Sequence, residues 1–105
     1  MDAQLKRGLI ENCVLSALLK QDSYGYQIVK ELSGRVEISE STLYPILRRL
    51  EGAGMLRVYT AEHNGRLRKY YAITPEGRRK LEQFLAEWQQ AMEIYEYIRG
   101  EVMTA

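Results

Sequence analysis

Cysteine occurs once in this chain, at Cys13, so no intrachain disulfide can form and a reducing compartment is favoured. Histidine also occurs once, at His63, and no cysteine stands near it, so a metal site and a metal cofactor are not expected. Apolar runs are only a few residues long, too short to cross a bilayer. The opening "MDAQLKRGLIENC" lacks the uninterrupted apolar stretch of a secretory signal. A cytoplasmic location without a membrane partner is therefore expected. Proline occurs twice, and no Pro/Gly/Ser linker, repeat or low-complexity segment divides the chain. With 105 residues, one domain with one modest core is expected. The motifs of catalysis are missing too: no GxSxG, no phosphate loop, no HExxH, no Cys-His pair close in sequence. Carboxylates are plentiful but fall on helical surfaces. No enzyme, catalytic residue or cofactor is expected.

Charge is present but unevenly spread. Residues 1–38 carry five bases and five acids; residues 39–80 carry nine bases against four acids, net +5; residues 81–105 carry Arg99 against five glutamates, net −4. The total of +1 thus conceals a basic middle and an acidic tail. A basic middle suits a polyanion, although solvated faces that differ by chance would give the same count.

The pattern of apolar residues predicts helix, helix, helix, hairpin, helix. The first helix is expected over about residues 2–20, with Leu5, Leu9, Cys13 and Leu18 on one stripe. Ile10, Val14, Leu15 and Leu19 widen that stripe, so more than one face must be covered. The second helix lies in "QDSYGYQIVKELSGR", with Asp22 or Ser23 as its cap, Ile28, Val29 and Leu32 inside, and Gly34 at its end. The third lies in "ESTLYPILRRLEGAGML". At about 100° per residue, Leu43, Ile46, Leu47 and Leu50 cluster on one side. Ser41, Pro45, Arg48 and Gly52 lie opposite, flanked by Thr42, Tyr44 and Arg49. Ser39 or Ser41 can cap this helix. With Ser41 as cap, Pro45 closes the first turn; with Ser39, a bend at Pro45 is expected.

"MLRVYTAEH", "NG" and "RLRKYYAIT" follow. Asn-Gly between alternating runs marks a two-residue hairpin. The implied register sets His63 opposite Arg66, Tyr59 opposite Tyr70, Val58 opposite Tyr71 and Leu56 opposite Ile73. Apolar residues then match on one face, and His63, Asn64, Arg66, Arg68 and Lys69 gather towards the tip. In the last segment, Thr74 caps a long helix with Pro75 at its first position. Leu81, Phe84, Leu85, Trp88, Met92, Tyr95, Ile98 and Val102 form a near-heptad seam on it. A seam of that length extends past a small domain's own surface, and pairing with a second copy would cover it.

The fold expected is mainly α with a small β-hairpin (α+β): a winged helix-turn-helix plus a long C-terminal dimerisation helix. Residues 1–74 would form the DNA-binding part and residues 75–105 the dimerisation helix of one compact unit. A helix fits the major groove, and a basic hairpin can follow the backbone or reach the minor groove. The leucine face of the third helix must stay inside, which leaves Ser41, Thr42, Tyr44 and Pro45 for the groove. Arg48 and Arg49 would reach phosphate or a guanine edge. The plainer alternative is that Arg48 and Arg49 are solvated surface and Tyr44 packs on the wing.

"STLYPILRRLEGAGML", "RLRKYYAITPEGRRKL" and "SYGYQIVKEL" together resemble the PadR family of bacterial transcriptional regulators, over about residues 9–85. The short tail is similar to the family's compact members with a single C-terminal helix. Ser41 departs from the glycine of many relatives, which puts its own contact in question. The resemblance implies a homodimer through the last helix, helped by the first, with Leu5, Leu9, Leu81, Phe84, Leu85, Trp88, Met92, Tyr95 and Ile98 at the interface. It implies two recognition helices about one turn apart on a palindromic double-stranded DNA operator, and repression relieved by a small molecule. By position it implies DNA contacts from Tyr24, Ser41, Thr42, Tyr44, Pro45 and Arg48, and from Asn64, Gly65, Arg66, Arg68 and Lys69 in the wing. Phe84, Trp88, Met92 and Tyr95 would line a site between the chains for a small planar aromatic or cationic effector; a solidly packed dimer core is the alternative there. A buried core thiol is the ordinary reading of Cys13, with redox sensing the alternative. Two rival functions remain: a winged-helix module that binds protein rather than specific DNA, and a MarR-like regulator, for whose extra helices this chain has no room.

Overall fold

A computed structural model describes all 105 residues. Its elements run α1 (Ala3–Ala17), α2 (Gly25–Leu32), α3 (Glu40–Gly52), β1 (Leu56–His63), β2 (Arg66–Ile73) and α4 (Pro75–Thr104). Four helices and an antiparallel hairpin make the α+β winged helix expected from the sequence.

Local chemistry explains most boundaries. The Asp2 carboxylate accepts the Leu5 N–H at 3.0 Å, and the Thr74 hydroxyl accepts the Gly77 N–H at 3.1 Å. Ser39 caps α3, its hydroxyl accepting the Thr42 N–H at 3.2 Å. Pro45 therefore sits in the second turn rather than the first. The helix is continuous from Glu40 to Gly52 all the same. The missing bond leaves only the Ser41 carbonyl without its helical donor, and Ser41 is on the exposed side. At the other end Gly54 takes a left-handed φ of 79°. The Met55 N–H then reaches the Leu50 carbonyl at 2.9 Å and the Gly54 N–H the Glu51 carbonyl at 3.0 Å, which is the Schellman ending.

Neither Asp22 nor Ser23 caps α2. The N-cap is Tyr24, and its side chain makes no capping bond. The reason lies in the hairpin. The Ser23 N–H donates to the Tyr71 carbonyl at 3.1 Å, and the Tyr71 N–H donates back at 2.7 Å, so Ser23 forms a one-residue bridge on β2. The Asp22 carboxylate accepts the Tyr59 hydroxyl. The Asp22 side chain is thus taken by a tertiary partner, while Ser23 is held in the bridge through its backbone and its hydroxyl is buried without a partner.

The register of β1 and β2 agrees with that implied by Asn64-Gly65, from His63 opposite Arg66 to Leu56 opposite Ile73. Asn64 (φ 52°) and Gly65 (φ 79°) supply the positive angles of the turn. The inner face of the hairpin delivers Leu56 and Tyr71 to the core. There they meet Ile10, Val14, Leu15 and Leu18 of the first helical segment, Ile28 and Leu32 of α2, the four apolar residues of α3, and Leu81. One cluster thus locks the outer face of α3 away from the core and towards solvent. The outer faces of Tyr59 and Tyr70 stack at 5.7 Å. α4 touches the body only at its start. Every residue after Trp88 is exposed, and the molecule extends 63 Å along its long axis.

Candidate nucleic-acid interface

The apolar stripe of α3 is completely inward: Leu43 and Leu47 have no exposed surface. Its rotation leaves Ser41, Thr42, Tyr44, Pro45 and Arg48 on the outside. Ser39, Ser41 and Thr42 hydroxyls are linked at the helix front, with Ser39 Oγ 2.8 Å from Ser41 Oγ and 3.1 Å from Thr42 Oγ1. Three small hydroxyls at a helix tip can donate or accept, which suits base edges and phosphates alike.

Arg49 behaves differently from Arg48. Its guanidinium pairs with Glu11 of α1 at 2.6 Å, and Lys80 of α4 approaches the other Glu11 oxygen at 3.8 Å. Arg49 is exposed like Arg48, and the ion pair is what distinguishes it. At about 100° of rotation beyond Arg48, Arg49 stays exposed while its pair with Glu11 links α3 to α1, and Lys80 joins them from α4.

Tyr44 rests against the beginning of α2. A Cβ on Gly25 would lie 2.6 Å from Tyr44 Oη, so glycine is what lets the ring seat there. α2, α3 and the wing meet at this point. Tyr24, Gly25, Tyr26, Tyr44, Arg68 and Lys69 are among the residues that border a cleft of about 380 Å³. Residues far apart in sequence are thereby brought to one opening.

The wing divides into a free tip and an anchored shaft. Asn64, Gly65, Arg66 and Lys69 are exposed. So is Leu67, an apolar residue at the tip that charge counting did not single out. Arg68 is half-buried. Its guanidinium lies 4.5 Å over the Tyr24 ring, and its Nε is buried without a partner. Tyr24 and Arg68 therefore engage each other rather than both standing open. The hydrogen bond to Asp22 raises the Tyr59 phenol above its ordinary 10.0, and burial raises Tyr71 likewise. The sequence marks Asp22 and Ser23 only as candidate caps, and Gly25 only as part of "SYGYQIVKEL"; their contacts with the wing and with Tyr44 come from the fold.

The residues expected at a dimer interface split between two helices. Leu5 and Leu9 lie on α1, the first exposed and the second half-buried. On α4, Leu81 is buried in the chain's own core, whereas Leu85, Met92, Tyr95 and Ile98 are 53–66% exposed. Phe84 and Trp88 are half-buried with ring centroids 5.9 Å apart. A groove of about 490 Å³ opens where α1, α2 and α4 meet, lined by Leu9, Cys13, Leu32, Phe84 and Leu85 among others. Asn12 also borders it. It is 5% exposed, with Nδ2 bonded to the Gly8 carbonyl and Oδ1 unpartnered. No group of three His, Cys, Asp or Glu side chains is arranged to hold a metal. No helix is long and apolar enough to cross a membrane.

A helix-turn-helix whose second helix shows a polar face beside a basic β-hairpin, followed by one long helix, defines a winged-helix regulator architecture. Residues 14–83 match the transcriptional regulator PadR-like family, and the chain belongs to that family. Its relatives are transcriptional regulators, not enzymes. It is 45% identical to the solved structure of smu.1704 from Streptococcus mutans, with a TM-score of 0.79 and 90% of each chain covered. It is 33% identical over 79 residues to the transcriptional regulator Rv3488 of Mycobacterium tuberculosis, covering 74% of both. Bacillus subtilis PadR, solved with operator DNA, shares the fold at 23% identity and a TM-score of 0.67; 73% of this chain aligns with 45% of that one.

Proposed function

We propose that this protein is a sequence-specific DNA-binding regulator, a homodimer that represses transcription from a palindromic operator. The observation that carries the proposal is the common cleft. The start of α2, the front of α3 and wing residue Lys69 open on one side of the molecule, beside the exposed Ser41–Arg48 face. The operator-bound Bacillus subtilis PadR, of the same fold, supports a duplex as the partner. In this reading Ser41, Thr42, Tyr44 and Pro45 enter the major groove, and Arg48 takes a phosphate or a guanine edge. Asn64, Gly65, Arg66 and Lys69 follow the flanking backbone. Tyr24 stands where α2 meets that backbone. Residues 1–74 are the DNA-binding part.

Residues 75–105 are the dimerisation helix of this reading. The apolar residues of α4 beyond its own core are the support. Leu85, Met92, Tyr95 and Ile98 remain exposed in the single chain, and the groove bordered by Leu9 and Phe84 continues that surface. Burying what remains exposed of each such side chain stabilises association by about 1–2 kcal/mol before ordering costs. Phe84, Trp88, Met92 and Tyr95 share this face. A planar aromatic or cationic effector stacking on Trp88 between the two chains would relieve repression.

The test is selection of bound fragments from DNA upstream of the protein's own gene and from the wider genome, followed by footprinting. Recovery of a palindromic site with two protomers per duplex, lost in Arg48→Ala, is expected. Recovery of no preferred sequence would refute the operator and leave the winged helix as a protein-binding module. For the effector, tryptophan fluorescence unchanged across planar cationic and phenolic compounds would remove that part alone.

A further inference from the structure

Three consecutive residues hold the wing, each by a different kind of bond. Asp22 accepts the Tyr59 hydroxyl on β1. Ser23 exchanges two backbone hydrogen bonds with Tyr71 on β2. Tyr24 stands edge-on to Tyr70 at 5.6 Å and lies 5.5 Å from His63, the last residue of β1. The Arg68 guanidinium covers its face at 4.5 Å. The grip therefore runs from the middle of the hairpin to the pair beside the turn.

A two-stranded hairpin by itself is marginally stable in water. Its tip is also a lever. Eight residues of strand span about 25 Å, so a rotation of a few degrees at the base moves the tip by more than an ångström. A wing meant to meet a fixed feature of a ligand needs a brace along its length. Arg68 has the features of a brace rather than of an exposed contact. It is half-buried, its Nε has no hydrogen-bond partner, and no carboxylate pairs with it. A planar, weakly hydrated guanidinium tolerates such stacking where an ammonium would not. Its exposed neighbours Arg66 and Lys69 have the opposite character.

We infer that Asp22-Ser23-Tyr24 is a latch that fixes the wing against the helix-turn-helix, and that Arg68 is a positioning residue acting through the Tyr24 ring. The inference rests on the DNA-binding reading for its effect on affinity, but the latch itself can be examined without DNA. Two measurements on Arg68→Ala, Tyr24→Ala, Tyr24→Phe and the Arg68→Ala/Tyr24→Ala double variant test it.

The first is amide hydrogen exchange of residues 60–69 in the free protein. Faster exchange there in Arg68→Ala and Tyr24→Ala, with α3 and α4 unchanged, is expected. Tyr24→Phe keeps the ring and should exchange like the wild type. The second is operator affinity against salt. Loss of a stacked cation weakens binding about 2- to 30-fold. The double variant should be no weaker than the worse single variant, and the salt slope should stay at its wild-type value. A slope reduced by about one contact in Arg68→Ala, with wing exchange unchanged, would make Arg68 a phosphate ligand and overturn the inference. Wing exchange unchanged in all variants would overturn the latch. Failure of the wild type to bind DNA would refute the functional proposal and leave the exchange result to decide the latch.

Discussion

Gly25→Ala is the substitution whose consequence can be worked out most fully. Gly25 is buried, yet its φ is not left-handed, so alanine meets no backbone strain. The obstacle is Tyr44. A new Cβ would sit 2.6 Å from Oη and 2.9 Å from Cζ, whereas ordinary contact begins at 3.4 Å. The hydroxyl must retreat by at least the difference, 0.8 Å. Tyr44 is a flexible side chain at the exposed front of α3, so it can swing away without disturbing the core. Folding stability should hold or rise slightly, since alanine in place of glycine restricts the unfolded chain by about 0.4–1 kcal/mol. DNA affinity should fall. A hydrogen bond to a charged partner is worth ~1.5–3 kcal/mol, or about 10- to 150-fold. Fluorescence anisotropy on the operator and thermal melting separate the two effects. The decisive comparison is Tyr44→Ala. Both changes remove the same seated ring, so the double variant should be no weaker than Tyr44→Ala alone. Wild-type affinity in Gly25→Ala, or losses that add in the double variant, would refute the assignment of Tyr44.

Other expectations follow from single features. Leu47→Ala removes a side chain with no exposed surface and should cost about 2–5 kcal/mol in denaturant unfolding; a loss under 1 kcal/mol would contradict the packing of α3. Gly77→Ala places a Cβ against the Met55 carbonyl, a backbone atom that cannot swing aside, so unlike Gly25→Ala it should destabilise by about 1–3 kcal/mol. Tyr59 and Tyr71 both hold their protons more tightly folded than unfolded. Their contribution is full below about pH 10 and fades as pH climbs through the raised values, so Tyr59→Phe and Tyr71→Phe should each flatten the alkaline fall in stability. An alkaline limb as steep as the wild type's would contradict those assignments. Ile98→Glu puts a charge in the exposed seam of α4 and should shift sedimentation towards the monomer with melting of the core unchanged; an unaltered dimer would move the interface elsewhere.

Much of the architecture was legible because periodicity and turn chemistry agreed. Asn64-Gly65 fixed a two-residue turn, and side-chain alternation then left one register that matched Leu56 with Ile73. Thr74 before Pro75 acted as written, since caps depend on neighbours in sequence. What stayed hidden depended on partners distant in sequence. Asp22 and Ser23 have the chemistry of helix caps, but Tyr59 of the wing takes the Asp22 carboxylate and the bridge to Tyr71 holds the Ser23 backbone extended. Arg48 and Arg49 look alike as a pair; only the approach of Glu11 from α1 separates them. Arg68 counted as one more base in a basic finger, and nothing local announced that it would stack on Tyr24. Gly25 drew no reading of its own from the sequence because its purpose is the space it leaves for Tyr44. The unpartnered Asn12 Oδ1 carries no sequence signal at all.

The central claim is that this face reads duplex DNA, and salt-dependent binding tests it most directly. Anisotropy of the protein on its selected operator and on a scrambled duplex, across a range of salt concentrations, gives both specificity and the number of phosphates neutralised. Each phosphate contact adds about 0.9 to the slope of log affinity against log salt. A steep slope on both duplexes, a marked preference for the operator, and a shallower slope in Arg66→Ala and Lys69→Ala are expected. A flat slope with no preference between duplexes would contradict the claim.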